Sequence, residues 1–299
     1  MDFREIQAKS ILSPCGIPGI DYVINPYIGC RFGCTYCYAS FMGRFLKDKG
    51  VKDWGQYVYT KVNAPELLIK ELPKLKDKGK GLEIFLSSVT DPYQGVEGKY
   101  QLTRKCLEVI RDYGFEGIIS ILTKSDLVLR DIDIFKALKH AIVGLTVTSY
   151  NDSISKYFEK YAPNVTDRFD ALEKLNKNGI KTYAFVGPIL PHFVAFEAEL
   201  EKIFKKLSEI GTKDIFIEHL NLSRCIRTRL IAEMKDVEPQ IISKFYDSQN
   251  KDYRDILDER IKRLVHKYKM NLLTGGTIFH VRPRARRRLL YKESPFLIR

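Results

Sequence analysis

NPYIGCRFGCTYCYAS, residues 25–40, gathers Cys30, Cys34 and Cys37 into eight positions, half of the six cysteines in the chain. Thiols that crowded in a CxxxCxxC array point to a bound inorganic group or to redox work rather than to a structural disulfide. After Cys37 the next cysteine is Cys106 and the first histidine is His140. A structural zinc takes four protein ligands, so a zinc site here would have to import a distant one. A redox pair formed by Cys34 and Cys37 would leave Cys30 without a role. Iron–sulfur clusters are held by thiolates, usually four for a [4Fe-4S] centre, and three on one loop would leave an iron open to a small molecule.

The loop opens from a short apolar run, YVINPY (22–27), and a rhythm follows it. From residue 82 onward, β-branched apolar runs alternate with longer amphipathic ones about every 30 residues, the pattern of βα units. LEIFLSS (82–88), GIISILTK (117–124), IVGLTVTS (142–149), IKTYAFVG (180–187) and DIFIEHL (214–220) are apolar almost throughout, as strands buried on both faces are. Between them the patterning predicts helices, with Asp131 and Thr166 as starts, Gly179 and Gly211 as stops, and Pro73 distorting the first. Six strands with intervening helices make an α/β fold, either most of a (β/α) barrel or an open doubly wound sheet, and periodicity does not choose between them. In both, reactive groups gather at the carboxyl ends of the strands. There stand Ser87, Ser88, Thr90 and Asp91, then Lys124, then Thr148, Ser149 and Tyr150, then Gly187, then Glu218, His219 and Asn221. After about residue 225 the pattern turns wholly helical, which divides the chain into a core domain, 1–225, and a helical C-terminal extension, 226–299, with a basic tail.

Fifty Lys and Arg against 37 Asp and Glu leave a formal charge of +13. Much of the excess lies in HVRPRARRRLLYKESPFLIR (280–299), where Arg282, Arg284, Arg286, Arg287, Arg288, Lys292 and Arg299 face a single acid, Glu293. Such a block suits contacts to nucleic-acid phosphates, and it equally suits a solvated tail. With 44% apolar residues there is ample material for a core. The N-terminus, MDFREIQAKSILS, has no apolar signal region, and no stretch approaches the ~18 uninterrupted apolar residues of a membrane span, so the sequence reads as cytoplasmic with no membrane partner.

Cys30-Arg31-Phe32-Gly33-Cys34-Thr35-Tyr36-Cys37 resembles the signature of the radical S-adenosylmethionine (SAM) enzymes. Asn25-Pro26-Tyr27-Ile28-Gly29, Tyr38-Ala39, Thr90-Asp91-Pro92-Tyr93, Glu97 with Thr103-Arg104, Thr123-Lys124-Ser125, Arg130-Asp131 and Arg168 stand with it. Together they resemble the spore photoproduct lyase-like branch, whose members are often labelled DNA repair photolyases. The resemblance implies a partial (β/α)6 TIM-like barrel with a [4Fe-4S] cluster held by Cys30, Cys34 and Cys37. The amine and carboxylate of S-adenosylmethionine chelate the fourth iron in that superfamily. An electron, from a donor such as ferredoxin or flavodoxin, then cleaves a C–S bond and yields a 5′-deoxyadenosyl radical that abstracts hydrogen from substrate. The cofactor carries this chemistry and the protein positions and shields it.

The same resemblance distributes roles. In the lyase a hydrogen-donor cysteine precedes an aspartate at the end of the second strand; Ser88 stands in that place, and a serine O–H is a far poorer hydrogen-atom donor. Efficient splitting of spore photoproduct is therefore not expected. Tyr36 and Tyr38 match the tyrosines flanking the lyase's third cysteine, and with Ser88 and Cys225, a thiol near the strand mouth, they are the candidate catalytic residues. The chain lacks the Gly-Gly-Glu-like segment that binds the cofactor amine in most members, leaving Ser87, Ser88, Thr90 or Asp91 to replace it. Lys124 would take the cofactor carboxylate, Thr148 and Ser149 the ribose or carboxylate, Tyr36 would lie along the adenine, and Gly187 would let the adenine approach the backbone. Arg104 and Arg168 head helices, where the dipole disfavours a cation, so a carboxylate such as Glu97 is the expected partner and their role structural.

Three functions stay open at this point: a radical enzyme acting on nucleic acid as a lyase, repair or modification enzyme; the same chemistry on a peptide or small metabolite; and a non-catalytic nucleic-acid-binding protein that carries a cluster or zinc.

Overall fold

The apolar runs become strands because each is covered on both faces. A computed structural model of the chain describes residues 1–280, so the arginine-rich run from Arg282 to Arg299 lies outside the described residues. Its strands are β1 (Asp2–Ile6), β2 (Leu12–Pro14), β3 (Tyr22–Ile24), β4 (Tyr27–Ile28), β5 (Tyr57–Lys61), β6 (Glu83–Leu86), β7 (Ile118–Thr123), β8 (Ala141–Val147), β9 (Lys181–Ile189), β10 (Asp214–His219) and β11 (Asn271–Leu272). The main sheet has the order β11-β10-β9-β8-β7-β6-β3-β2. The six expected strands, β3 and β6 to β10, are its parallel centre, with helices between them, the α/β arrangement of a partial (β/α)6 barrel. β2 runs antiparallel on one edge and β11 parallel on the other, and among the described residues these edges are not paired with each other. The region after 225 is therefore not wholly helical: Asn271 and Leu272 pair with Asp214 and Ile215, extending the sheet.

Alternation along the strands sorts side chains onto two faces. Ile119, Ile121, Val143, Leu145, Ala184, Val186, Ile215 and Ile217 join the main core, packed with helix residues such as Phe135, Leu172 and Ile203. Ile118, Leu122, Ile142, Tyr183, Phe185 and Phe216 form a second cluster on the opposite, inner face. Continuing that alternation places Lys124 and Thr148 on the inner side at the carboxyl ends of β7 and β8.

The helices fall where patterning puts them, with instructive differences at their starts. Ala64–Glu71 gives way to a 3-10 turn, Leu72–Lys74, at Pro73, which has no N–H to continue the helix. Gly179 and Gly211 lie just past Val165–Lys177 and Glu197–Glu209. Asn164, not Thr166, caps Val165–Lys177, in a box completed by Asp167. Asp131 occupies the cap position of Ile132–Ala137 but makes no capping bond, because its buried carboxylate accepts from Arg104, Arg130 and Tyr93 instead.

A second, three-stranded sheet, β1-β5-β4, flanks the cysteine loop. Its β4 leads through Gly29 straight into Cys30. Gly29 has φ +84°, and an added Cβ would stand 2.4 Å from the Tyr57 carbonyl oxygen. Gly29→Ala is expected to lower stability by about 2–3 kcal/mol, through overpacking and the left-handed backbone together, read as a lower midpoint in chemical denaturation. A midpoint like that of the wild type would refute the packing argument.

Candidate functional site: a cysteine loop over the inner mouth of the sheet

Three grips hold the cysteine loop. From one side comes fully buried Gln94, whose amide donates to the Gly29 carbonyl at 3.2 Å and to Thr90 Oγ1 at 2.9 Å, and whose oxygen accepts the Arg31 N–H at 2.8 Å. Thr90 Oγ1 also donates to the Gly29 carbonyl, at 2.5 Å. From beneath, the Thr35 N–H donates to the Phe158 carbonyl at 2.9 Å. On the third side, Arg229 of the helix Arg224–Glu233 donates to the carbonyls of Cys34 at 2.9 Å and Gly33 at 3.2 Å. Outer contacts of this kind fix ligand geometry, so Arg229→Met is expected to speed loss of reconstituted iron to a chelator about ten-fold without moving the melting curve comparably. Equal release rates would show that the grip is not needed.

Cys30 and Cys34 are buried and Cys37 half-buried. Burial pushes all three thiols up, Cys34 to about 12 in spite of the nearby Lys124. Cys30 lies within electrostatic reach of Asp91 and of both other cysteines. Among the described residues, no three His, Cys, Asp or Glu side chains are grouped to hold a single metal ion. Cluster ligands bind different irons and need not converge on one point, so the donor set suits an iron–sulfur cluster, with coordination driving off the thiol protons.

Beneath the loop lies a buried polar centre built on Glu159, which follows the helix Asp152–Phe158. Glu159 accepts hydrogen bonds from the Tyr36 hydroxyl, from Arg168 Nη2 and, at 3.0 Å, from Thr148 Oγ1. Lys124 Nζ stands 4.0 Å from the same carboxylate and 5.8 Å from the centre of the Tyr36 ring. Burial alone would raise the Glu159 carboxyl, but Arg168 and Lys124 outweigh it and hold it below the usual range, so it is ionised. Burial likewise disfavours the Lys124 charge, and the neighbouring Cys34, as a thiolate, and Glu159 more than restore it. Arg168 is thus paired with Glu159 and not with Glu97. Arg104 pairs with Asp131 and Asp133, while its backbone N–H reaches Glu97, whose side-chain partners are Arg130 and the Tyr27 hydroxyl.

The remaining candidates spread around this mouth. Asp91 is buried and accepts from Thr123 Oγ1 at 2.6 Å and from the N–H groups of Lys124 and Tyr93, both at 2.9 Å, which lashes the end of β6 to the end of β7. Burial raises its carboxyl despite these donors. Ser87 is buried with φ +71°, and its hydroxyl has no partner among the described residues, an orphan that a bound group would satisfy. Tyr38 is half exposed and donates to the Ser88 carbonyl. Ser149 Oγ accepts the Asn151 N–H at 2.9 Å. At Gly187 an added Cβ would stand 2.9 Å from Glu218 Cβ, so the close approach seen there is to β10. Glu218 pairs with His280 at 2.6 Å, and His219 points to the opposite face, where burial lowers its pKa to about 4. Cys225 sits apart from the three clustered thiols in sequence, in the first turn of the helix that carries Arg229, with Arg44 Nη2 2.7 Å from its sulfur.

Residues 24–217 match the Radical SAM superfamily. An uncharacterised protein of Methanocaldococcus jannaschii is 41% identical over 197 residues, 66% of this chain and 71% of that protein. An uncharacterised protein of Mycobacterium bovis is 24% identical over 281 residues, 90% of this chain and 81% of that one. A radical SAM Nalpha-GlyT isomerase of Pseudomonas phage M6 is 24% identical over 69% of this chain and 40% of its own length. Among solved structures, spore photoproduct lyase complexed with dinucleoside spore photoproduct has the same fold, with a TM-score of 0.66 at 14% identity over 89% of this chain and 79% of that one. Streptococcus suis SuiB bound to the precursor peptide SuiA gives 0.54 at 13% identity, over 84% of this chain and 47% of that one.

Proposed function

Since the chain belongs to the Radical SAM superfamily, whose members use a [4Fe-4S] cluster and S-adenosylmethionine, we propose that Cys30, Cys34 and Cys37 hold the cluster and that the inner mouth of the sheet binds the cofactor. One observation carries this reading: the Lys124 ammonium, on the inner face, stands 5.8 Å from the ring centre of Tyr36, the residue just before Cys37, so a cation faces the cysteine loop. Bound together, cluster and cofactor supply reductive C–S cleavage and a 5′-deoxyadenosyl radical for hydrogen abstraction. The chain's own residues bind, orient and shield. Lys124 offers its ammonium to a carboxylate, the orphan Ser87 hydroxyl a hydrogen bond, and Tyr36 the flat face of its ring. Burial of Cys30 and Cys34 keeps water from the site, and the Cys225 thiol is the proposed hydrogen donor to a substrate radical.

The proposed substrate is nucleic acid, repaired or otherwise modified. Support comes from the formal charge of +13, from the arginine run that begins two residues after His280, and from a fold shared with a lyase solved with a dinucleoside. Anaerobic reconstitution with iron and sulfide, followed by S-adenosylmethionine and a strong reductant, tests the chemistry: 5′-deoxyadenosine should form, and a Cys34→Ala control should form none. No product from fully loaded protein would sink the enzymatic reading. For the substrate, binding to DNA or RNA should weaken steeply with salt, and replacing Arg282, Arg284, Arg286, Arg287 and Arg288 by alanine should flatten the log–log slope by about 0.7–0.9 for each phosphate that is no longer neutralised. A salt-independent interaction, or a precursor peptide that raises the turnover of cofactor where nucleic acid does not, would move the substrate to the peptide class.

A further inference from the structure

We propose that Glu159 is a positioning residue that sets Lys124 and Tyr36 against the cysteine loop, and so fixes where the carboxylate of S-adenosylmethionine meets the cluster. The inference rests on the reading that Lys124 takes that carboxylate. Both oxygens of Glu159 are in use. One accepts from Tyr36 and from Thr148 Oγ1, and the other from Arg168 Nη2. Lys124 Nζ, at 4.0 Å, is close enough to be held by charge and too far to donate a hydrogen bond. Among the described residues no acceptor takes a hydrogen bond from the Lys124 ammonium, whose side chain is only 17% exposed. An ammonium carries three donors, and a largely buried one with all three unspent is built to receive an anion.

Glu159 also joins parts that are remote in sequence. Tyr36 lies between Cys34 and Cys37, 123 positions from Glu159. Thr148 directly follows β8, and Arg168 comes from the helix Val165–Lys177, where it further donates to the carbonyls of Thr146 at 3.2 Å and Pro163 at 2.8 Å. The carboxylate is therefore fixed from a strand end and a helix, rigid elements, and passes that fixity to the cluster loop through Tyr36 and to Lys124 through charge. A direct contact of Glu159 with cofactor is not part of the inference.

Replacing Glu159 alone would strand the buried Arg168 charge, so the test removes both charges in Glu159→Gln/Arg168→Met and, separately, removes one bond in Tyr36→Phe. Full-length proteins are reconstituted with iron and sulfide, and three quantities are read: iron per chain, affinity for S-adenosylmethionine by anaerobic equilibrium dialysis, and the change the cofactor causes in the electron paramagnetic resonance of the reduced cluster. Both variants should load iron as the wild type does. The double variant should bind the cofactor about ten-fold more weakly with a reduced spectral response, and Tyr36→Phe should show a smaller loss in the same direction. Lys124→Met should also bind weakly, and adding the double substitution to it should cost little more, because residues acting through one another are not additive. Full additivity, or wild-type affinity in the double variant beside a weak Lys124→Met, would overturn the role of Glu159 and leave the Lys124 assignment standing. Wild-type affinity in Lys124→Met would overturn both. If the double variant does not fold, Tyr36→Phe decides: unchanged affinity and spectrum reject the proposal.

Discussion

Cys34→Ala protein, reconstituted anaerobically with iron and sulfide, is expected to retain no cluster. Iron should fall from about four per chain to background, and the visible charge-transfer absorption and all 5′-deoxyadenosine formation should go with it. Cys34 is the middle thiol of the array, and the Arg229 contacts to the carbonyls of Gly33 and Cys34 shape the loop around it. Losing it leaves two thiolates, too few to keep a cube from dissociating. The contrast is Cys106, which is fully buried in the helix Leu102–Tyr113 and behaves as a small apolar core residue. Cys106→Ala should lose some stability and keep its full iron content. A Cys34→Ala protein with wild-type absorbance, or a Cys106→Ala protein without iron, would reverse the ligand assignment.

Arg168→Met should cost about 3–5 kcal/mol of stability and lower the melting midpoint by about 10 °C. Both partners of the Arg168–Glu159 pair are wholly buried, so removing the guanidinium leaves a carboxylate in the interior with only the more distant Lys124 to balance it. The exposed Lys139–Glu116 pair offers a control whose loss should cost much less. The pH dependence has a definite sign. Glu159 is held below its ordinary value, so the pair stabilises fully above about pH 4.3, the unfolded value, and the contribution fades as pH falls through the lowered one. The gap between wild type and Arg168→Met should therefore narrow on acidification. A gap that is small at neutral pH, or that widens in acid, would refute the buried-pair account.

What the sequence shows and what it hides divide along physical lines. β6 to β10 are legible because their burial on both faces demands unbroken apolar runs, and the cysteine spacing is legible because three thiols so close together have few other uses. The small sheet is hidden: β1, DFREI, is mostly exposed, and β4 has two residues, so each is a strand only because β5 pairs with it. Glu159 is hidden for a related reason. Within YFEKYAPN an acid reads as the solvated end of a helix, and only the fold brings Tyr36, Thr148 and Arg168 onto it. Gln94 and Arg229 look like ordinary surface residues until they meet the loop from sites far along the chain. The partner of Arg168 could have been guessed from proximity, since Glu159 precedes it by nine positions, but carboxylates are abundant and spacing alone does not rank them.

Among the described residues the two edges of the main sheet are not joined, which bears on how a long substrate would get in. A closed ring of strands must be entered from an end, so a polymer would have to be threaded or offer a terminus. Here, among the described residues, β2 and β11 lie at opposite ends of the strand order and are not paired with each other. A wall that stops short of a full circle would let the proposed nucleic-acid substrate be approached from the side, so that an interior unit of a continuous strand, with no free end nearby, could be laid in and lifted out again.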